Sequence, residues 1–494
     1  MDVLGIQELA VLIGGRVQFG STSPPDGLPR RVGRIVADVA DVAAEDVFWA
    51  PQAPEHDVAA SMRQAYAHGA RGVVVASGGT GTWTRLSETR RPVSEGPDDA
   101  GSAEASRTVA WNPPAGCFSI EVDDTWKALQ QLVRWHRQRL AGRVIAVGGP
   151  LGKTTTVRMI EAVLSGCFSG RAPLCAEKAP WSLPLAVLQL QREDAYGVLE
   201  CHASRKDEIP SLSHLCQPEI GVINSLAQNV NSSGEEGEGC EPEWLPHLPE
   251  HGWAVLNGDE PRLCDWADRV KSRVMLVGRG SHCDLNATHV RGGQGELKFS
   301  VEGIDCTVRI WGRHSLPAAL AAYAVGRIMG LSPRDAAARL KEFQPLAHRC
   351  QVACQNCVTV IDDTYGGGFE SWRAALEVLR EVETTGRRIV ACGGVGENEQ
   401  GTRWEREIGR AMVAQCGADW LIACGSQGRR MVEAAQAAGM PVGRAVWRPQ
   451  IKDAAAQLRQ LVQPGDAVLV KGGGDAAWEL VVRQVFGRPL ASAA

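Results

Sequence analysis

The sequence predicts an α/β protein built on parallel sheets, and three observations predict it. Between residues 143 and 164 an apolar strand runs into a glycine-rich turn and then a helix. From Val358 onward, five apolar strands alternate with five helical stretches. Apolar residues make up 44% and charged residues 22% of the chain, so large cores can form and wholesale disorder is excluded. A length of 494 residues suits about three domains of roughly 150 residues each.

Charge and leader signals narrow the function classes. The 52 Lys and Arg against 57 Asp and Glu leave a net charge of −5, which argues against a broad nucleic-acid-binding face. No apolar run reaches the length of about eighteen residues that a membrane span needs. The opening MDVLGIQELAVLIGG carries Asp2 and Glu8 and reads as a short helix ended by Gly14-Gly15, not as a signal peptide. Fifteen cysteines without a secretion signal suit reduced thiols, so the expected location is cytoplasmic. The expected state is a monomer.

The elements follow in order. Val32–Val36, Val47–Ala50 and Gly72–Ala76 read as strands, and Ala59–His68 as a helix ended by Gly69. Residues 78–115 are rich in Gly, Ser, Pro and acidic residues and read as an exposed loop. A helix is expected over 124–140, with Trp126, Leu129, Leu132, Val133 and Trp135 on one face. The strand Arg143–Val147 precedes the turn GGPLGKTTT and a helix over 157–164. Further strands are expected at Tyr196–Leu199, Ile220–Ile223 and Trp253–Leu256, and helices at Leu316–Met329 and Pro333–Phe343. The C-terminal strands are Val358–Ile361, Arg388–Ala391, Trp420–Ala423, Ala445–Trp447 and Ala467–Val470, a doubly wound pattern.

Gly149-Pro150-Leu151-Gly152-Lys153-Thr154-Thr155-Thr156 is the strongest motif. Glycines let backbone N–H groups turn inward toward phosphate oxygens. Lys153 would lie on the β- and γ-phosphates, the Thr154 hydroxyl would join a Mg²⁺ shell, and the helix offers its positive end to the same anion. A glycine turn with an exposed lysine is the ordinary alternative. A second cluster is Cys350, Cys354 and Cys357. Its C-x3-C-x2-C spacing could hold an iron–sulfur cluster or zinc. The competing reading is two short strands around a turn at Gln355-Asn356, with cysteines as small buried residues.

A strand ending in G-x-x-G-K-T-T-T resembles the Mur ligase family, ATP-dependent amide-forming enzymes of peptidoglycan precursor synthesis. Leu199-Glu200, Ile223-Asn224, AVLNGDEP at 254–261, Gly312-Arg313-His314 and His348-Arg349 follow in that family's order. Ile361-Asp362-Asp363-Thr364-Tyr365 with Ser371, and LVKGGG at 469–474, look most like the branch that adds D-alanyl-D-alanine to a UDP-muramoyl tripeptide. The resemblance implies a three-domain Mur ligase architecture. Its parts would be an N-terminal UDP-sugar-type substrate domain over 1–115, a central P-loop ATPase-like parallel sheet over 116–345, and a C-terminal Rossmann-like ligase domain over 346–494.

It also implies chemistry through an acyl phosphate, with ATP, Mg²⁺, a UDP-muramoyl peptide and D-alanyl-D-alanine as partners. Lys153, Glu200 and Arg349 would be catalytic. Thr154 and Glu200 would hold the metal. Gly149, Gly152, Thr155, His314, Asp363 and Tyr365 would join Lys153 and Thr154 around the nucleotide. Each has an ordinary reading as well: Glu200 paired at a strand end, Asp363 in a strand-end turn, Arg349 as a solvated surface arginine, His314 as a structural histidine.

The chain departs from the family pattern at several points. Asn229 stands where a metal-holding histidine is expected, and residues 231–249 hold no lysine or arginine. Ser315 and Ala318 replace two adenine-side asparagines, and Gly366-Gly367-Gly368-Phe369 replaces N-A-N-P. In the first domain Val36-Ala37-Asp38-Val39-Ala40 keeps only the aspartate of the uridine-contacting segment. A degenerate paralogue that binds nucleotide or a partner without turnover is therefore the alternative function.

Overall fold

The computed structural model describes residues 4–20, 32–51, 57–77, 113–173, 181–201, 209–226, 241–394, 401–472 and 477–487. Most of the loop read at 78–115, Asn229, and the glycines after Gly472 in LVKGGG lie outside them. By contacts the chain divides into two compact units: 1–142 with 173–195 and 211–217, and 143–172 with 196–210 and 218–494.

The first unit holds a five-stranded sheet in the order Arg16–Phe19, Phe118–Val122, Gly72–Ala76, Val47–Trp49, Ile35–Val36. Only Arg16–Phe19 runs antiparallel to its neighbour. Phe118–Val122, which the sequence division assigns to the central region, sits inside this sheet. The expected helix is Val58–Ala67, begun by the Asp57 carboxylate accepting the Ala59 and Ala60 N–H groups. The helix Thr125–Arg137 buries Leu129, Leu132 and Val133, as its periodicity predicts. The indole of Trp49 donates to the Thr125 carbonyl at 3.0 Å.

The second unit carries two large sheets, one parallel throughout and one parallel but for an edge strand. The first has seven strands in the order Leu285–Asn286, Arg273–Gly278, Trp253–Asn257, Ile220–Ile223, Arg143–Gly148, Tyr196–Glu200, Gly170–Arg171, all parallel. Fully buried Val and Ile at both faces explain the unbroken apolar runs seen in the sequence. The helices Lys153–Ser165 and Leu316–Ile328 pack together over it, and a Cβ on Gly326 would come within 2.7 Å of Val163. A three-stranded antiparallel sheet, Thr288–Gly293, Glu296–Val301 and Ile304–Val308, is an addition that the sequence reading left unassigned.

The second sheet has the order Gln351–Gln355, Val358–Asp363, Ala467–Lys471, Arg388–Cys392, Trp420–Cys424, Ala445–Arg448. Five strands are parallel and the edge strand Gln351–Gln355 is antiparallel. Phe369–Glu381, Gly401–Ala414 and Gly425–Ala437 supply one core face, Ile451–Leu461 and Ala477–Phe486 the other. This is the doubly wound arrangement that the alternation predicts. The hairpin turn falls at Asn356 and Cys357, both with φ positive, one residue later than expected.

Candidate active site

The glycine loop sits at the C-terminal end of the central strand Arg143–Gly148, between Ile220–Ile223 and Tyr196–Glu200. That is where parallel sheets place ligands, because strand ends and helix starts converge there. Gly149 (φ 110°) and Gly152 (φ 75°) adopt left-handed conformations, so the chain can turn and open the helix directly after Gly152. A Cβ on Gly149 would also press within 3.0 Å of the Ser225 carbonyl.

Side chains from three strand ends meet at this loop. Lys153 is buried, and its ammonium donates to the Gly149 carbonyl at 2.6 Å. The Thr154 hydroxyl donates to Glu200 Oε2 at 2.7 Å, so a hydroxyl and a carboxylate oxygen lie side by side. Oxygen donors of this kind suit a hard divalent cation such as Mg²⁺. Thr155 is half-buried on the first helical turn.

A further layer lies beneath. Thr156 Oγ1 donates to the Gly152 carbonyl at 2.8 Å and accepts from Asn224 Nδ2 at 2.6 Å. Asn257 Nδ2 in turn donates to the Asn224 carbonyl at 2.8 Å. Among the described residues, Asn224 Oδ1 is buried without a hydrogen-bond partner. Thr156 and Asn257 were missed as network members. Their signal was position, the third threonine of the loop and a polar residue ending an apolar strand.

The second group lies at the C-terminal end of the other sheet. The Arg349 guanidinium stacks 4.2 Å from the centroid of the Tyr365 ring, and Tyr365 is 44% exposed. Asp363 turns inward: Oδ2 pairs with the Lys471 ammonium, and Oδ1 accepts the Cys350 N–H at 3.0 Å. His348 Nδ1 donates to Asp362 Oδ2 at 2.8 Å, and Thr364 donates to Asp362 Oδ1 through its hydroxyl at 2.8 Å.

His314 precedes the helix Leu316–Ile328 on the turn Arg313–Ser315. Among the described residues its Nδ1 has no hydrogen-bond partner, and it lies 3.9 Å from Glu377 Oε2. Burial holds this imidazole below its ordinary pKa, against the pull of Glu377 and Asp363. Gly312, with φ 83°, leaves room for the ring, since a Cβ there would sit 2.3 Å from His314 Cε1. Ser315 and Ala318 are buried on the same stretch.

The cysteine cluster is spread by its hairpin. Cys350 packs half-buried against the core, whereas Cys354 and Cys357 are exposed. Among the described residues no three His, Cys, Asp or Glu side chains gather as a metal site. Nor, among them, is any helix long and apolar enough to cross a membrane.

The glycine loop at a strand end, its lysine and its hydroxyl–carboxylate pair define an α/β protein with a loop of the P-loop kind. The family description "Mur ligase middle domain" matches residues 147–326, and "Mur ligase, glutamate ligase domain" matches residues 348–474. The chain belongs to the Mur ligase family. It is 29% identical over 388 residues to the UDP-N-acetylmuramoyl-tripeptide–D-alanyl-D-alanine ligase of Bacillus subtilis, covering 77% of this chain and 83% of that one. It is 28% identical to the ligase of the same name from Mycobacterium bovis, covering 96% of each. The crystal structure of MurF from Acinetobacter baumannii superposes with a TM-score of 0.74 at 22% identity, covering 98% of this chain and 99% of that one. MurF from Thermotoga maritima in complex with ADP gives 0.68 at 20% identity, covering 92% and 96%.

Proposed function

We propose that the chain is an ATP-dependent carboxylate–amine ligase of peptidoglycan precursor synthesis that adds D-alanyl-D-alanine to a UDP-muramoyl tripeptide. The relatives named for that reaction support the substrates. The observation that carries the reading is the Thr154–Glu200 pair set at 2.7 Å against the Lys153 loop. In the proposed reaction a carboxylate oxygen takes the γ-phosphoryl group from ATP. The dipeptide amine then attacks the acyl carbon, loses a proton and expels phosphate.

Negative charge builds on the phosphoryl oxygens in the first step and on the acyl centre in the second. Lys153 would leave the Gly149 carbonyl to neutralise the β- and γ-phosphates. The helix opening at Lys153 adds its positive end. Thr154 and Glu200 would hold Mg²⁺, which supplies charge neutralisation when bound. Arg349, carried beside Tyr365, would approach the phosphates and exclude water from the acyl phosphate. Gly149, Gly152 and Thr155 would shape the phosphate cradle, with His314 and Tyr365 on the nucleoside side; Asp363, expected there from the sequence, has both carboxylate oxygens engaged within the chain and would support that side from behind. The expected working state is a cytoplasmic monomer of three domains, with the strand Phe118–Val122 belonging to the first.

The test is phosphate release together with mass detection of the amide product, using UDP-muramoyl tripeptide, D-alanyl-D-alanine and Mg-ATP. Wild-type protein that forms no product, and whose phosphate release ignores both substrates, sinks the ligase reading. Ser315 and Ala318, where the family's asparagines stand, favour a second reading of nucleotide binding without turnover. That reading requires saturable Mg-ATP binding, lost in Lys153→Ala, with no product from any acid–amine pair.

A further inference from the structure

We propose that Lys471 and Asp363 form a buried clamp whose task is to hold Arg349 in place, so that Lys471 is a positioning residue for the reaction. The inference rests on the ligase reading for its purpose, and on the following contacts for its existence.

Lys471 ends a central strand of the C-terminal sheet and is fully buried. A buried ammonium is costly unless every donor is used and a counter-charge is close. Here all three donors are used: on Asp363 Oδ2, on the Gly366 carbonyl at 2.8 Å and on Ser371 Oγ at 2.8 Å. Gly366 and Ser371 bracket the link between Tyr365 and the helix Phe369–Glu381, so this one side chain gathers that link onto the strand end.

The second oxygen of Asp363 carries the constraint onward. Oδ1 accepts the N–H of Cys350, the residue after Arg349. On the other side, the carbonyl of His348 accepts the N–H of Tyr365 at 3.1 Å. Arg349 is thus tied at both flanks to the segment that Lys471 holds. The turn needs such support, because His348 (φ 63°) and Cys350 (φ 46°) both lie in the left-handed region without being glycine. The guanidinium itself rests on Tyr365, a residue of the same clamped link.

With both carboxylate oxygens engaged, Asp363 acts here as a relay between a strand-end lysine and the arginine turn. Replacing Lys471 removes the charge that pins this relay, and the Cys350 amide loses its fixed partner.

The test uses the full chain and two readouts. In hydrogen–deuterium exchange, Lys471→Met should raise exchange over residues 348–366 at least about tenfold while the seven-stranded sheet stays protected. In a double-mutant cycle, Lys471→Met should lower kcat about tenfold or more in the wild-type background, but less than about twofold in Arg349→Ala, because the clamp then has nothing to position. Ser371→Ala, which removes one of the three contacts of Lys471, should move both readouts in the same direction by a smaller factor. Should Lys471→Met not fold, Ser371→Ala is read on the same terms. Unchanged exchange over 348–366, or equal losses of kcat in both backgrounds, overturns the proposal. If wild-type protein makes no product, the ligase reading falls and the exchange experiment alone decides the clamp.

Discussion

At the scale of single residues, Lys153 is held in a resting contact. Its ammonium sits on the Gly149 carbonyl, a neutral acceptor that a polyphosphate outcompetes because its oxygens carry full charge. Lys153→Ala should therefore lower ATP-dependent phosphate release by about 10²–10³-fold, the usual effect of losing one preorganised charge contact. Steady-state kinetics check this, and a loss under tenfold would remove Lys153 from the charge-stabilising role. Glu200→Gln keeps the hydrogen bond from Thr154 but loses the charge, so the Mg²⁺ concentration for half-maximal rate should rise.

His136 gives a pH prediction. It is buried, its Nε2–H donates to the Leu190 carbonyl at 2.9 Å, and burial holds it below its ordinary pKa. The unfolded chain takes up this proton first, near pH 6.5 on the model-peptide scale, about where the loss begins. The contribution is fully present above that pH and is lost as pH falls toward the lowered folded value. Melting temperature should drop between about pH 7 and pH 5, and His136→Gln should flatten that limb. An identical acid limb in the variant would assign the loss to other groups.

At the scale of elements, the strand–loop–helix passage was legible because its signals are local. Apolar runs of five or six residues, glycines and a threonine-rich helix start all lie within neighbouring turns. Gly152 shows what the loop demands. A Cβ there meets nothing within 4 Å, so Gly152→Ala tests backbone conformation alone. It should cost roughly 1–2 kcal/mol in urea unfolding, the penalty for an L-residue in the left-handed region. No measurable cost would mean that the loop relaxes.

The antiparallel sheet over 288–308 was not read, although Leu297, Phe299 and Val301 alternate inward along its middle strand. Its first strand, THVRGG, has no buried residue and two glycines, which hid the pattern. The hairpin over 351–363 was legible in type but shifted by one residue. Asn356 and Cys357 both adopt positive φ, and cysteine carries no turn signal.

At the scale of the whole molecule, a ligand that binds only the folded state stabilises it by mass action. Mg-ATP at about one hundred times its Kd should add roughly 2.7 kcal/mol and raise the melting temperature accordingly. Lys153→Ala and chelation of the metal should each reduce that shift. A shift of equal size in the variant would separate stabilisation from the glycine loop.

The amino-acid order by itself determined most of the elements, the loop and the family likeness, because periodicity, glycines and short motifs act between residues a few positions apart. It did not determine which strand ends would lie side by side. Glu200 meets Thr154 across 46 positions, Asn224 meets Thr156 across 68, and Lys471 meets Asp363 across 108. Those meetings depend on strand order, and strand order is set by how whole apolar faces pack against helices. Only the tertiary structure could show that Asp363 faces inward to a buried lysine, since a carboxylate's partner is chosen by burial and not by its neighbours in sequence.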